Sequence, residues 1–221
     1  VCQAAEKVVA DLKRRAAATW ECDIANVEWR DGAAVCTDPA KDVKPLSMKA
    51  LASKSAKTGG PIASEVSINA QGAAAGYGAH ICDLEIDRET GRTTIVRYTA
   101  AQDVGRAIHP SYVEGQLQGG AAQGVGWALN EEYVYGPKGT LDNASFLDYR
   151  MPVASDLPMI DTILVETKPN PRHPFGAKGV GEVPIVPPLA AVANAVSQIV
   201  GKRMTSLPLS PARVLAAMEE K

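Results

Sequence analysis

Apolar residues recur at helical spacing from the start of the chain. Ala4, Val8 and Leu12, followed by an alanine run, predict a helix over residues 3–19 that ends before Asp23. Residues 27–35 read as a hairpin turning on Asp31-Gly32, since Asp-Gly suits the left-handed positions of a tight hairpin turn. A short helix is expected over 45–51, with no evident cap. Residues 62–69 alternate apolar and polar positions as a half-buried strand does. The stretch 70–78 is Ala and Gly apart from Gln71 and Tyr77, and reads as a loop with little order of its own. A second, stronger hairpin is expected from 79–87 and 92–104: Leu84 and Ile86 alternate with Glu85 and Asp87, as in a sheet with one wet face, and Gly91 closes the turn.

After Pro110, the run Ser111-Tyr112-Val113-Glu114 has the form of a capping box and predicts a helix to about Leu129. Gly115, Gly119, Gly120, Gly124 and Gly126 lie inside it. Each costs about 1 kcal/mol relative to alanine in a helix interior. Something must therefore approach this helix closely, either another backbone or a ligand lying along it. Gln118 and Gln123 project from the same segment, and an amide suits a heterocycle or an oxo group because it both donates and accepts. Residues 136–160 are irregular, 160–167 read as a strand, and 185–200 as an Ala- and Val-rich helix closed by Gly201. Pro184, Pro187 and Pro188 fall at or before its first turn, where proline is tolerated. Ser210-Pro211 starts a last short helix. The pattern predicts an α+β fold of mixed, mostly antiparallel sheets with packed helices, spanning 1–221, with 1–105 and 106–221 as candidate subdomains.

Composition narrows the function classes. A chain of 221 residues can bury a sizeable core, and its net charge of -2 offers no basic face for nucleic acid. Hydrophobic residues make up 46% but aromatics only 5%, which favours close backbone packing. No apolar run is read as reaching the roughly 18 residues needed to span a bilayer, and no signal peptide is visible, so a cytoplasmic location is expected. Cys2, Cys22, Cys36 and Cys82 show no C-x-x-C spacing, so they read as buried, reduced thiols rather than a zinc or iron–sulfur site. His80, His109 and His173 are equally dispersed, and a protein-ligated metal is not expected. The chain begins on Val and enters a helical pattern at once, which suggests a processed chain or a piece of a longer polypeptide.

The richest chemistry lies in residues 175–184, Phe-Gly-Ala-Lys-Gly-Val-Gly-Glu-Val-Pro. Gly176, Gly179 and Gly181 let a backbone approach a ligand closely. Lys178 can meet an anion, loop amides before a helix can meet phosphate or oxo groups, and Glu182 is held between the loop and the next helix. A surface loop with a solvated glutamate is the plain alternative. The spacing fits neither a Walker loop nor the G-x-G-x-x-G dinucleotide fingerprint.

Taken in order, Asp103-Val104-Gly105 through Pro110, Val113-Glu114-Gly115-Gln116, Gln123-Gly124-Val125-Gly126 and the segment Gly176 to Glu182 carry a resemblance. The chain resembles the C-terminal part of the molybdopterin-binding (large) subunit of the xanthine dehydrogenase/aldehyde oxidase family, which includes carbon monoxide dehydrogenase-type large subunits. The resemblance covers nearly the whole chain, and Gly-Ala-Lys-Gly-Val-Gly-Glu is its most specific element. It implies the second molybdopterin-binding domain type, and a molybdenum hydroxylase that oxidises a carbon centre with water as the oxygen source. In that scheme Glu182 is the general base, taking a proton from the hydroxyl or water at the molybdenum, and a shielded cleft would raise its pKa by desolvation. Lys178 and the amides of Gly179, Val180 and Gly181, with Gln123, would hold the molybdenum–molybdopterin in its cytosine dinucleotide form.

The resemblance further implies partners: the remainder of the subunit, iron–sulfur and flavin subunits or domains bearing [2Fe–2S] and FAD, and a small-molecule substrate. The family's subunit is several times longer, and the other half supplies much of the pocket, so the isolated chain is expected to be inactive. Aldehydes, N-heterocycles, an aromatic thioester and carbon monoxide all stay open as substrates. Two alternatives stand beside this reading: a non-catalytic paralogue or assembly module that binds no molybdenum, and an unrelated alanine-rich α+β scaffold whose glycine loop serves packing.

Overall fold

The computed structural model describes residues 1–69, 74–173 and 175–220. The chain divides into two compact units, Val1–Ala70 and Gln71–Lys221. This corrects the division expected between residues 105 and 106. The strand ending at Asp103 pairs from Tyr98 onward with one that begins at Ile160, so a hydrogen-bond ladder joins the two sides of that boundary.

In the first unit α1 (Cys2–Trp20) precedes β1 (Val27–Arg30), β2 (Ala33–Cys36) and β3 (Leu46–Ser47), which pair antiparallel in chain order. α1 stops because Glu21 turns left-handed and its amide closes on the Ala17 carbonyl. Asp31 and Gly32, with φ of 49° and 77°, give the tight hairpin turn expected from the sequence. Ser47 ends β3 and caps α2 (Met48–Ser53), its Oγ accepting from the Ala50 amide at 3.2 Å. The cap that the sequence did not reveal is thus a residue assigned to the helix itself. α3 (Ser55–Thr58) follows. Leu12, Ala16, Trp20, Val27, Ala34 and Leu51 form this unit's core.

Residues 62–69 are not a strand. Ile62, Ser64 and Val66 are half-buried in alternation, but the segment's bonds go to a helix rather than a strand edge. Ser64 Oγ donates to the Ala4 carbonyl at 2.7 Å, and Lys7 Nζ donates to the Glu65 carbonyl at 3.4 Å. Alternation without a neighbouring edge gives extended chain and no ladder. The buried Arg15 anchors the preceding turn, donating to Asp11 at 2.6 Å and to the carbonyls of Gly60 and Pro61 at 2.6 and 3.2 Å. Of the expected loop at 70–78, residues 70–73 lie outside the described residues, and 74–77 are irregular.

In the second unit β4 (Gly78–Ile86) and β5 (Thr93–Asp103) are antiparallel, and β6 (Ile160–Val165) adds to β5 in parallel. A parallel neighbour needs a crossover. α4 (Pro110–Leu129) lies on that crossover, and α5 (Val186–Val200) packs on α4 and β4. α6 (Pro211–Glu219) completes the unit. Tyr98, Ala100, Ala121, Val125, Val192, Val196, Leu209 and Val214 make the core between sheet and helices. The α+β class with mixed, mostly antiparallel sheets stands as expected.

Three local expectations are corrected here. α4 begins at Pro110 with His109 in the cap position, and no Ser111–Glu114 box forms; proline at the first helical position already has the right φ and no amide to satisfy. Residues 183–200 are long and apolar enough to cross a bilayer, with a mean hydropathy of 1.6, contrary to the expectation of no such run. In the fold this segment is a 3₁₀ turn (Val183–Ile185) leading into α5, with Val192 and Val196 fully buried. The four cysteines are free, but Cys2 is exposed and the others only half-buried.

Candidate functional site

The glycine loop sits where β5 ends. Gly176 is left-handed, and its carbonyl accepts from the Asn170 amide at 2.8 Å. Asn170 Nδ2 holds the Ala177 carbonyl at 3.2 Å. The Lys178 amide donates to the Val104 carbonyl at 3.0 Å, while Lys178 Nζ meets Asp103 Oδ2 at 2.5 Å. That hydrogen bond, helped by the Gly105 amide, holds the Asp103 carboxyl below the usual carboxylate range against the opposing effect of burial. Gly105 has a φ of 66°, and a Cβ there would collide with the Gly176 carbonyl oxygen. So the first half of the loop is bolted to the residues directly after β5.

The second half is different. Among the described residues, the amides of Gly179, Val180 and Gly181 have no hydrogen-bond acceptor within the chain. Gly179, Gly181 and Glu182 are exposed and Val180 is half-buried. Glu182 stands at the cap position of the 3₁₀ turn Val183–Ile185, yet its carboxylate caps nothing, and it makes no ion pair among the described residues. No described residue shields it, so the closed cleft implied by the resemblance is not formed by the described residues alone.

α4 comes close to this loop because glycine permits it. A Cβ at Gly124 would lie 2.6 Å from the Ile185 carbonyl oxygen, and one at Gly120 would lie 2.7 Å from Pro184 Cγ. Backbone packing therefore accounts for these two glycines. Gly126 is likewise crowded, by Glu131 and Pro152. Gly115 and Gly119 face open space instead, with nothing within 4 Å of a would-be Cβ. Of the two glutamines singled out by sequence, Gln118 is consumed by fold, donating to the Ile160 carbonyl at 3.2 Å. Gln123 is exposed on α4.

Sequence reasoning missed three participants. Gln116 is exposed, and its Nε2 lies 3.5 Å from where a Cβ of Gly181 would be. The seven-residue step to Gln123 was the available signal, since two turns of helix return to one face. Asp103 was visible only as part of Asp-Val-Gly, with no role attached. Arg106 lines a cavity of about 240 Å³ together with His109, Tyr112, Gln116, Lys178 and Val180, and His109 stacks on Tyr112 at 4.0 Å. The cavity thus gathers Lys178 and Val180 of the expected set. Gly179, Gly181 and Glu182 lie along the adjoining loop, and Gln123 lies two turns along α4 from Gln116. Among the described residues no group of three or more His, Cys, Asp or Glu side chains could hold a metal ion.

Comparison with known proteins adds a family to this geometry. Residues 1–158 match the molybdopterin cofactor-binding domain model. The chain is 36% identical over 178 residues to a xanthine dehydrogenase molybdenum-binding subunit of Escherichia coli O157:H7, covering 80% of this chain and 23% of that protein. It is 39% identical over 121 residues to the carbon monoxide dehydrogenase large chain of Afipia carboxidovorans, covering 55% of this chain and 15% of the relative. Reconstituted CO dehydrogenase from Oligotropha carboxidovorans superimposes with a TM-score of 0.82 at 30% identity, covering 98% of this chain and 28% of its own. The chain therefore spans less than a third of the length of each of these proteins.

Proposed function

We propose, from the premise that this chain belongs to the molybdopterin cofactor-binding domain family of xanthine dehydrogenase, aldehyde oxidase and carbon monoxide dehydrogenase large subunits, that it holds the cofactor and carries the catalytic base of a molybdenum hydroxylase. One observation carries the reading. Three successive amides with no acceptor among the described residues run straight into an exposed carboxylate that no described residue engages. Backbone donors left without an acceptor are available to an anion brought against the loop.

The residues fit a bulky anionic pterin dinucleotide. Gly115, Gly119 and Gly179 leave open the space that side chains would fill, and Gln116 and Gln123 offer donors and acceptors beside it. Gly179, Val180 and Gly181 bind through their amides, in the cytosine dinucleotide form of the cofactor, and Gln123 orients it. When bound, the cofactor supplies the two-electron redox chemistry and the site at which water is used as the oxygen source. Glu182 accepts the proton at a carboxylate oxygen, and its place at the head of the Val183–Ile185 turn sets where its backbone sits beside the loop amides.

Completion of the site falls to the rest of the protein. Phe146 and Leu147 are 97% and 95% exposed, which supports a surface covered by the remainder of the subunit. Iron–sulfur and flavin partners carry the electrons onward, a small molecule is the substrate, and the assembly works in the cytoplasm. Glu182→Gln in the assembled enzyme tests the base. Molybdenum content should hold within about twofold while kcat drops about 10²-fold or more. Turnover persisting within about tenfold of wild type would remove Glu182 from that role. Metal-free assembled wild type would point instead to a non-catalytic module.

A further inference from the structure

Four consecutive residues at the end of β5 each hold a different part of the glycine loop. Gln102, 1% exposed, directs Nε2 at the Gly179 carbonyl from 3.5 Å. Asp103 takes the Lys178 ammonium at 2.5 Å, and Val104 accepts the Lys178 amide at 3.0 Å. Gly105 leaves room for the Gly176 carbonyl. The Asp103 carboxylate is fixed in turn, since its Oδ1 accepts the Gly105 amide at 3.0 Å and its own amide donates to the Tyr77 carbonyl at 2.8 Å. The side chains of Lys178 and Asp103 are only 9% and 17% exposed.

An ammonium so enclosed and already neutralised is poorly placed to meet an outside phosphate. Reaching one would require breaking a largely desolvated pair and stranding Asp103. Resting on the reading of this loop as the cofactor site, we infer that Asp103 is a positioning residue: it draws Lys178 inward, so that Gly179, Val180 and Gly181 present their amides outward. Lys178 then serves the cofactor through the shape of the loop, and the amides do the binding. This assigns the Asp-Val-Gly segment a task and moves Lys178 out of direct contact with the cofactor.

The two roles for Lys178 predict opposite responses to loss of its partner. In the assembled enzyme, Asp103→Ala, Lys178→Met and the double variant are compared by molybdenum per subunit after gel filtration. The clamp predicts losses of about fivefold or more in each single variant and no more than about twofold further in the double, because residues acting as one unit are not additive. Asp103→Glu, which keeps the charge, should retain molybdenum within about threefold of wild type, a rescue that general destabilisation would not give. Should Asp103→Ala keep or gain molybdenum while Lys178→Met loses it, Lys178 is a direct ligand and the inference is overturned.

Hydrogen exchange on the assembled enzyme, prepared free of cofactor, separates the inference from the reading beneath it. In Asp103→Ala and the isosteric Asp103→Asn the Lys178 amide should exchange about tenfold faster, with β5 core amides such as Tyr98 unchanged. An unaltered Lys178 amide sinks the clamp. A wild-type enzyme without molybdenum sinks the proposed function, while the exchange result still decides the clamp.

Discussion

Gly119 and Gly124 lie on the same helix, and substitution by alanine should move stability in opposite directions. In a helix interior alanine is favoured over glycine by about 1 kcal/mol. At Gly119 nothing lies within 4 Å of the new methyl group, so Gly119→Ala should realise most of that gain, about 0.5–1 kcal/mol. At Gly124 the methyl would sit 2.6 Å from the Ile185 carbonyl oxygen and 2.7 Å from Pro188 Cγ. Backbone and a proline ring cannot rotate away, so α4 and α5 must separate, an overpacking cost of about 3 kcal/mol at the upper end of the usual range. Less the propensity gain, Gly124→Ala should destabilise by about 2 kcal/mol. In a chain of this size that is a fall of roughly 4–8 °C in melting midpoint, against a rise of roughly 1–4 °C for Gly119→Ala. Urea and thermal unfolding followed by circular dichroism would measure both. The open face at Gly119 belongs to the proposed cofactor surface, so the stabilised variant should also hold less molybdenum in the assembled enzyme. If Gly124→Ala is as stable as wild type, or Gly119→Ala is destabilised by more than about 1 kcal/mol, the account of why glycine stands at these positions fails.

Gly105→Ala combines a left-handed backbone with a collision against the Gly176 carbonyl, so it should destabilise by about 3 kcal/mol and loosen the 176–178 segment; equilibrium unfolding with exchange at the Lys178 amide checks both. Burial lowers the pKa of His80 to about 4 from an ordinary 6.5. Its Nδ1 lies 2.9 Å from the Tyr98 hydroxyl, and its buried Nε2 has no partner among the described residues. The unfolded chain therefore binds a proton that the fold resists, and stability present above pH 6.5 should decline as pH falls toward 4. With allowance for a half-buried ring, the decline is about 1–2 kcal/mol, and His80→Gln should flatten it in urea midpoints compared at pH 7.5 and 4.5. An equally steep pH dependence in His80→Gln would assign that loss to other groups.

Much of the fold was legible because its cues are local. The helix periods at 3–19, 110–129 and 186–200, and the hairpins at Asp31-Gly32 and Gly91, need only neighbours in sequence to specify them. The segment 62–69 was misread because alternation reports a half-buried extended chain and says nothing of whether a strand edge waits beside it. The boundary between units was misplaced for a related reason: β6 joins β5 across 56 intervening residues (104–159), and no local pattern carries that pairing.

The site divides in the same way. Residue types and their order put the chemistry on offer in view: a glycine-rich loop ending in Glu182, a glycine-interrupted helix bearing Gln123, and the run of motifs that carries the family resemblance. Long-range packing then set which of these groups are spent and which stay open among the described residues. It turned Gln118 onto the Ile160 carbonyl and Lys178 onto Asp103, brought Gln116 beside Gly181, and set Gly120 and Gly124 against the start of α5 while leaving Gly115 and Gly119 open. The reason is physical: a residue's type fixes which bonds it can make, but which partner it meets depends on packing between segments far apart in the chain.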